Sequence, residues 1–131
     1  MVSFNDPIAE LLTRLRNAAM AQLRYVDLEV SKMRREIVRI LKEKGYISNF
    51  LIDDKLRRMR IFLKYTSDRR PVISGLKRVS SPGLRRYGGW KDIPRVYNGI
   101  GMAIISTSQG IMDDTSARRK KVGGEILCFI W

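Results

Sequence analysis

Near the middle of the chain, Thr66-Ser67-Asp68-Arg69-Arg70-Pro71 carries turn formers and no apolar periodicity. It marks a boundary between two halves of about 60 residues each. Units that small bury only roughly 60% of the surface their unfolded chains expose, and alone they are marginal. Covalent or metal staples are not at hand. One cysteine, Cys128, excludes an internal disulfide and a thiolate metal cluster, and histidine is absent. With 44% hydrophobic residues the chain can bury a core, so the halves are expected to pack on each other rather than stand apart.

The first half reads helix, strand, helix, strand, strand. Asp6-Pro7 is a helix start, because Asp can accept free N–H groups and Pro loses nothing at the first helical position. Ile8, Leu11, Leu12, Leu15 and Ala19 then recur at helical spacing, with Arg14 and Asn17 pointing away. Val26, Leu28 and Val30 alternate with Tyr25, Asp27 and Glu29 as in a strand. Ser31 caps a second helix whose expected buried stripe is Met33, Ile37, Ile40 and Leu41. Its expected wet face is Arg34, Arg35, Arg39 and Lys42, and Gly45 stops it. Tyr46 to Ile52 and Leu56 to Tyr65 form a hairpin about Asp53-Asp54-Lys55. In its second strand Arg58, Arg60 and Lys64 share a face, which reads either as a solvated edge or as a basic surface.

The second half reads as mostly strand with one short helix. Expected strands are Val72 to Ser80, Leu84 to Tyr87, Gly101 to Thr107 and Glu125 to Trp131. A helical turn is expected near Asp92-Ile93-Pro94 and a basic helix over about Thr115 to Lys121, capped by Asp114. The fold class is α+β, two small domains covering 1–66 and 71–131. Cys128, inside Ile126-Leu127-Cys128-Phe129-Ile130, reads as a small buried hydrophobe.

Charge narrows the function. Lys and Arg number 26 against 13 Asp and Glu, a net +13. Such a charge repels itself in a compact state but attracts a polyanion, whose released counterions drive binding. A basic surface kept for solubility is the plainer alternative. No apolar run is long enough to cross a bilayer, and Met1 to Ala9 lacks the pattern of a secretory leader. Enzyme chemistry has little to stand on. Ser106 and Ser108 have no histidine partner, Asp53-Asp54 reads as a turn, and Asp113-Asp114 are adjacent residues whose side chains diverge. The phosphate-loop spacing is missing, and Gly99-Ile100-Gly101 lacks a third glycine and follows a loop. No cofactor, no metal and no small-molecule substrate is expected.

Three clusters can bind nucleic acid. Ser106-Thr107-Ser108-Gln109-Gly110 puts four polar side chains at the end of an apolar strand. Hydroxyls and an amide suit 2′-hydroxyls, phosphates and base edges of RNA, and they equally suit an ordinary polar turn. Arg118-Arg119-Lys120-Lys121 reads either as phosphate contact, chiefly through Arg119 and Lys120, or as cations complementing a helix dipole. Arg85-Arg86-Tyr87 offers guanidinium and an aromatic face for stacking, or an ordinary strand tyrosine.

Taken together, several stretches resemble the S-eight family of small-subunit ribosomal proteins, bacterial or organellar type. They are Asp6-Pro7-Ile8-Ala9, Leu12-Thr13-Arg14, Arg16-Asn17-Ala18, Ser31-Lys32 and Gly45-Tyr46-Ile47. Further on come Ser81-Pro82-Gly83-Leu84-Arg85 with Tyr87, then Gly99-Ile100-Gly101-Met102-Ala103-Ile104, Ser106-Thr107-Ser108, Gly110 and Gly123-Gly124-Glu125-Ile126-Leu127-Cys128. They span nearly the whole chain in order, and the last two blocks together are highly specific.

The resemblance implies a two-domain RNA binder. Its partner would be a helix of the central domain of 16S-type ribosomal RNA, bound early in subunit assembly. Neighbouring small-subunit proteins would be further partners. Some bacterial members also bind a messenger RNA that mimics this site, their own operon's transcript. The place of work would be the ribosome in the cytoplasm, or in an organelle's stroma or matrix. The main contact maps to Ser106, Thr107, Ser108 and Gly110, with Tyr87 and Glu125. Because a carboxylate repels phosphate, Glu125 would orient the loop or accept from a base amine. First-half contacts map to Asp6, Pro7, Thr13, Arg14, Asn17, Ser31 and Lys32. Three positions depart from the family pattern. Gln109 stands where lysine is common, Ser81 where arginine is common, and Lys121 where glycine is common. Arg85, Arg86 or Lys120 would then supply the missing charge. The rival reading is a nonspecific architectural nucleic-acid-binding protein, which would bind duplex DNA and many RNAs alike.

Overall fold

The computed structural model describes residues 6–131. The first five residues, which belong to the Met1–Ala9 stretch read for a leader, lie outside it. Among the described residues the fold is α+β, with three α-helices and two antiparallel sheets.

Helix α1 spans Pro7–Met20, and Asp6 caps it, accepting from the N–H groups of Ile8 and Ala9 at 3.2 Å. Its apolar stripe of Ile8, Leu11, Leu12, Leu15, Ala18 and Ala19 is buried. After strand β1 (Tyr25–Glu29) comes helix α2 (Lys32–Glu43), capped by the Ser31 hydroxyl, which accepts from Arg34 N–H at 3.1 Å. Of the expected stripe, Ile37, Ile40 and Leu41 are buried, and one position differs. Arg34, expected on the wet face, is only 5% exposed, and Met33, expected inside, is at the surface. The buried line is Arg34, Ile37, Val38, Ile40 and Leu41, at helical spacing. The Arg34 guanidinium can be buried because three acceptors meet it: Pro7 O at 3.0 Å, Glu29 O at 2.8 Å and the Glu10 carboxylate at 2.9 Å.

Strands β2 (Ile47–Asp53) and β3 (Arg58–Leu63) complete the first sheet in the order β1-β3-β2. β3 is therefore central, which removes the reading of its arginines as a solvated edge. The Thr66–Pro71 boundary is a tied turn, not a loose linker: Thr66 N–H donates to Arg70 O at 2.8 Å and Arg69 N–H to Thr66 O at 3.0 Å.

The second sheet contains β4 (Leu76–Arg78), β5 (Tyr87–Gly88), β6 (Met102–Thr107), β7 (Gly110–Asp113) and β8 (Gly124–Ile130). Its order is β4-β8-β6-β7, with β5 also paired to β8. The expected strands from Val72 and from Leu84 shrink to β4 and β5. The backbone on either side bonds elsewhere: Ser74 and Gly75 N–H donate to Trp131 O, and Ser81 and Leu84 bond each other. The helical turn expected near Asp92 falls later, at Val96–Gly99, and includes left-handed Tyr97 and Asn98. Strand β7 was not anticipated. Because β7 runs through Asp113, helix α3 spans Asp114–Lys120 and its cap is Asp113, whose carboxylate accepts from Ser116, rather than Asp114. Asp114 is buried, accepting from Ala103 N–H at 3.2 Å and from Arg118 at 2.7 Å.

The larger core crosses the midpoint of the chain. It combines α1, α2 and the first sheet with Ile73, Leu76, Met102, Ile104, Leu127, Cys128 and Ile130. A smaller core of Ile93, Val96, Ala103, Ile105, Met112, Ala117 and Ile126 lies on the other face of the second sheet. Polar ties cross the same seam. Arg78 pairs with Asp6 at 3.1 Å, Lys44 with Asp113 at 3.5 Å, and Arg16 donates to Leu76 O. Cys128 is buried as expected, and burial pushes its thiol up to about 12.

Candidate nucleic-acid interface

Three strands set Tyr87, Glu125 and Ser106 in one row. Glu125 in β8 is opposite Tyr87 of β5 on one side and Ser106 of β6 on the other. Opposed residues of antiparallel strands project from the same face. One step outward the row is Gly88, Gly124 and Thr107, with Thr107 also opposite Gly110. The double glycine is what lets these strands close up. A Cβ on Gly124 would collide with the Ser106 carbonyl oxygen, and one on Gly123 with that of Gly88.

The hydroxyl turn divides its work. Thr107 Oγ1 accepts from Gln109 N–H at 3.0 Å and donates to Gly110 O at 2.8 Å, so it holds the turn together. Gly110 has a φ of +111°, which favours glycine. Ser108 and Gln109 are thereby presented to solvent, and Ser106 is half-buried.

Behind the row lies a network missing from the sequence reading. Ser80, 0% exposed, donates to Glu125 Oε2 at 2.7 Å and accepts from Arg86 N–H at 2.8 Å. Arg85 donates to the same Glu125 oxygen at 2.9 Å. Burial alone would raise the Glu125 carboxyl, but Ser80 and Arg85 outweigh it and hold the group below its ordinary range. Glu125 is thus a fixed acceptor. Tyr87 is 71% exposed, and the residue before it is anchored by Ser80. A serine just past a short strand gives no sequence signal that it is buried, so only the fold reveals this link.

Of the four basic residues of α3 and its end, Arg118 is turned inward, to Asp114 at 2.7 Å and to Ile93 O and Pro94 O at 3.0 Å. Arg119, Lys120 and Lys121 are exposed. α3 starts after Asp113, which is beside Ile104, and returns the chain to Gly124, beside Thr107. The exposed cations therefore end at the same edge of the sheet as the hydroxyl turn.

In the first half, Asp6 is doubly engaged, as the α1 cap and as the partner of Arg78. Burial would raise its carboxyl, but the Arg78 guanidinium and the Ala9 and Ile8 N–H groups hold it low. Asp6, Pro7, Ser31 and Met33 line a groove of about 240 Å³ with Pro82 and Arg85, so this part of the first half joins the second-half cluster. Lys32 is exposed next to Ser31. Thr13, Arg14 and Asn17 share an exposed face of α1, but at 1.5 Å per residue Asn17 is about 15 Å along the axis from Pro7 and does not reach the groove. Arg14 also pairs with Glu10 at 3.5 Å.

Comparison with known proteins covers the whole described chain. The profile of the family described as "Ribosomal protein S8" matches residues 6–131. A protein of Protochlamydia amoebophila named "Small ribosomal subunit protein uS8" is 54% identical, over 97% of this chain and 98% of its own. The protein of that name from Chlamydia caviae is 53% identical over 97% of each chain. The one from Levilactobacillus brevis is 50% identical, over 99% of this chain and all of its own.

Proposed function

The chain belongs to the ribosomal protein S8 family, and on that premise we propose that it is a structural protein of the small ribosomal subunit that reads one site in the ribosomal RNA. The family is one of structural ribosomal proteins, not of enzymes. The finer reading is primary binding to a helix of the central domain of 16S-type RNA, promoting subunit assembly. The 1–66 and 71–131 halves would contact that RNA as two parts of one folding unit.

The observation that carries this reading is the row Tyr87–Glu125–Ser106 beside the exposed Ser108 and Gln109, with Arg85 and Arg86 on one flank and Arg119 and Lys120 on the other. Fixed short donors and acceptors, an aromatic face and flanking cations are the chemistry of shape-specific RNA readout. Asp6 enters through its backbone, since its carboxylate is already engaged by Ile8, Ala9 and Arg78, whereas the Ser31 hydroxyl accepts from Arg34 N–H and keeps its own proton to donate.

Chemical footprinting of small-subunit RNA with and without the protein tests the reading. Protection confined to one helix of the central domain is expected. Equal retention of cognate RNA, random RNA and duplex DNA at physiological salt would favour the nonspecific architectural protein instead. A competing messenger transcript that displaces the ribosomal site would extend the reading to regulation.

A further inference from the structure

The groove between the halves is lined by Asp6, Pro7 and Ser31 from the first and by Arg78, Pro82 and Arg85 from the second. Arg78 bridges it. Its Nε donates to Asp6 Oδ2 at 3.1 Å and Nη2 to Asp6 Oδ1 at 3.3 Å, while Nη1 donates to the Leu127 carbonyl of β8 at 2.6 Å. The Arg78 and Asp6 side chains are only 16% and 14% exposed, so salt screens the pair little. Apolar packing across the seam is non-directional and tolerates small rotations. A guanidinium fork on a carboxylate is directional and does not. The Lys44–Asp113 pair across the same seam meets at a single point, 3.5 Å, from a lysine that is 41% exposed. Of these two ionic ties, Arg78 is the one that fixes an angle.

Candidate RNA contacts are fixed on both sides of this bond. In the first half, buried Arg34 donates to Pro7 O and Glu29 O, which holds the start of α1 against the start of α2, where Ser31 is the cap and Lys32 is exposed. In the second half, Leu127 is two residues along β8 from Glu125, and Ser80, two residues past Arg78, donates to the Glu125 carboxylate. Hydrogen bonds and short pieces of chain thus run from Arg34 through Pro7, Asp6 and Arg78 to Glu125. Without Arg78 the shared core still joins the halves; what is freed is their register at the groove. A second grip on one ligand adds affinity only where its spacing matches the first.

We propose that Arg78 is a positioning residue for RNA reading: by holding Asp6 it keeps Pro7, Ser31 and Lys32 in register with the Tyr87–Glu125–Ser106 row, so that one folded RNA meets both at once. The inference rests on the reading of this surface as the RNA site and adds the need for register. Filter binding of small-subunit RNA and of random RNA tests it, with the parent, Lys32→Ala, Arg78→Lys and the double variant. Lysine keeps the charge but has no fork to grip Asp6 and Leu127 together. In the parent, Lys32→Ala is expected to lower the slope of log affinity on log salt by about 1. Arg78→Lys is expected to weaken small-subunit RNA by about tenfold or more and to leave random RNA, which needs no register, at the parental value. Adding Lys32→Ala to Arg78→Lys should then change neither affinity nor slope, because the first half has already left the RNA. Asp6→Ser keeps a cap for α1 but offers Arg78 no pair of oxygens, and it should repeat the loss. Urea unfolding shows that the variants are folded; a merely structural role would leave the folded molecules with parental affinity. That result in both Arg78→Lys and Asp6→Ser, an equal fall on random RNA, a Lys32→Ala loss of the same size with and without Arg78, or no Lys32→Ala loss in the parent would each overturn the proposal. A parent that does not prefer small-subunit RNA to random RNA would defeat the RNA reading itself and take this inference with it.

Discussion

Ser80, two residues past β4, and Glu125 of β8 share a hydrogen bond of 2.7 Å across 45 residues of chain, and the same serine hydroxyl receives Arg86 N–H at 2.8 Å. One buried oxygen thus ties the acceptor at the centre of the candidate RNA site to the backbone that presents Tyr87.

Ser80→Ala removes both bonds without adding bulk. It is expected to cost roughly 1–3 kcal/mol of stability, the usual loss when buried polar partners go unmade. Cognate RNA should bind more weakly while random RNA binds as before, because Glu125 and Tyr87 lose their placement and no cation is touched. Urea unfolding and filter binding measure the two effects. Parental cognate affinity in a folded Ser80→Ala protein would show that the tie does not shape the site.

Ser108 is the exposed hydroxyl of the turn that Thr107 holds. Ser108→Ala is expected to weaken cognate binding by roughly 1–3 kcal/mol, with unchanged thermal stability. Thr107→Ala should lose both affinity and turn order, since its hydroxyl makes two bonds inside the protein. Filter-binding titrations that leave the Ser108→Ala affinity at the parental value would take that side chain out of the interface.

The basic helix separates two roles that the sequence ran together. Arg119→Ala should weaken cognate and random RNA alike and lower the slope of log affinity on log salt by about 1. Arg118→Ala should instead destabilise the fold, because Arg118 bonds Asp114 and the carbonyls of Ile93 and Pro94. A parental salt slope in the Arg119 variant would mean that it touches no phosphate.

Amphipathic spacing made α1, β1, the hairpin and β8 legible, because each carries a run long enough for its period to show. Arg34 was misplaced for a physical reason: its burial depends on acceptors from Pro7 and Glu29, which no local pattern announces. The strand around Leu76 was read too long for a similar reason, since Ser74 and Gly75 bond the chain's last residue instead of a neighbouring strand. The residues themselves offered the hydroxyl run and Tyr87 as candidates, and the resemblance added Glu125. That they stand in one row follows only from the order of β5, β8 and β6, which joins residues far apart in the chain. The arginines of β3 looked basic because the acids that match them arrive from β1 and β2.

Acid should loosen the seam between the halves. Asp6 and Asp113 at the seam, with Asp27 and Glu125 inside the two halves, are each held below their ordinary values, 3.8 for the three aspartates and 4.5 for the glutamate. A depressed folded-state value means that the unfolded chain takes up the proton more readily. The contribution is therefore complete above the ordinary value and is lost as pH falls through the lower folded one. Urea midpoints should be flat between about pH 7 and pH 5 and decline below. Asp6→Asn should make that decline shallower, because it removes one of the four groups and its pairing with Arg78. An unchanged acid profile in this variant would show that Asp6 does not carry it.

Lys121 ends α3 in the left-handed region, at φ 56° and ψ 44°, with its N–H donating to Arg118 O at 3.1 Å. An L side chain in that conformation costs about 1–2 kcal/mol, and glycine is the residue helices ordinarily place there. Lys121→Gly should relieve the strain, offset in part by the greater freedom glycine gives the unfolded chain, for a net gain of about 0.5–1 kcal/mol. Lys121→Ala keeps the Cβ and removes the charge, so it isolates the backbone effect and should bring no such gain. A higher urea midpoint for the glycine variant alone is the expected result. Equal midpoints for the two variants would mean that the left-handed backbone at this helix end is not a source of strain.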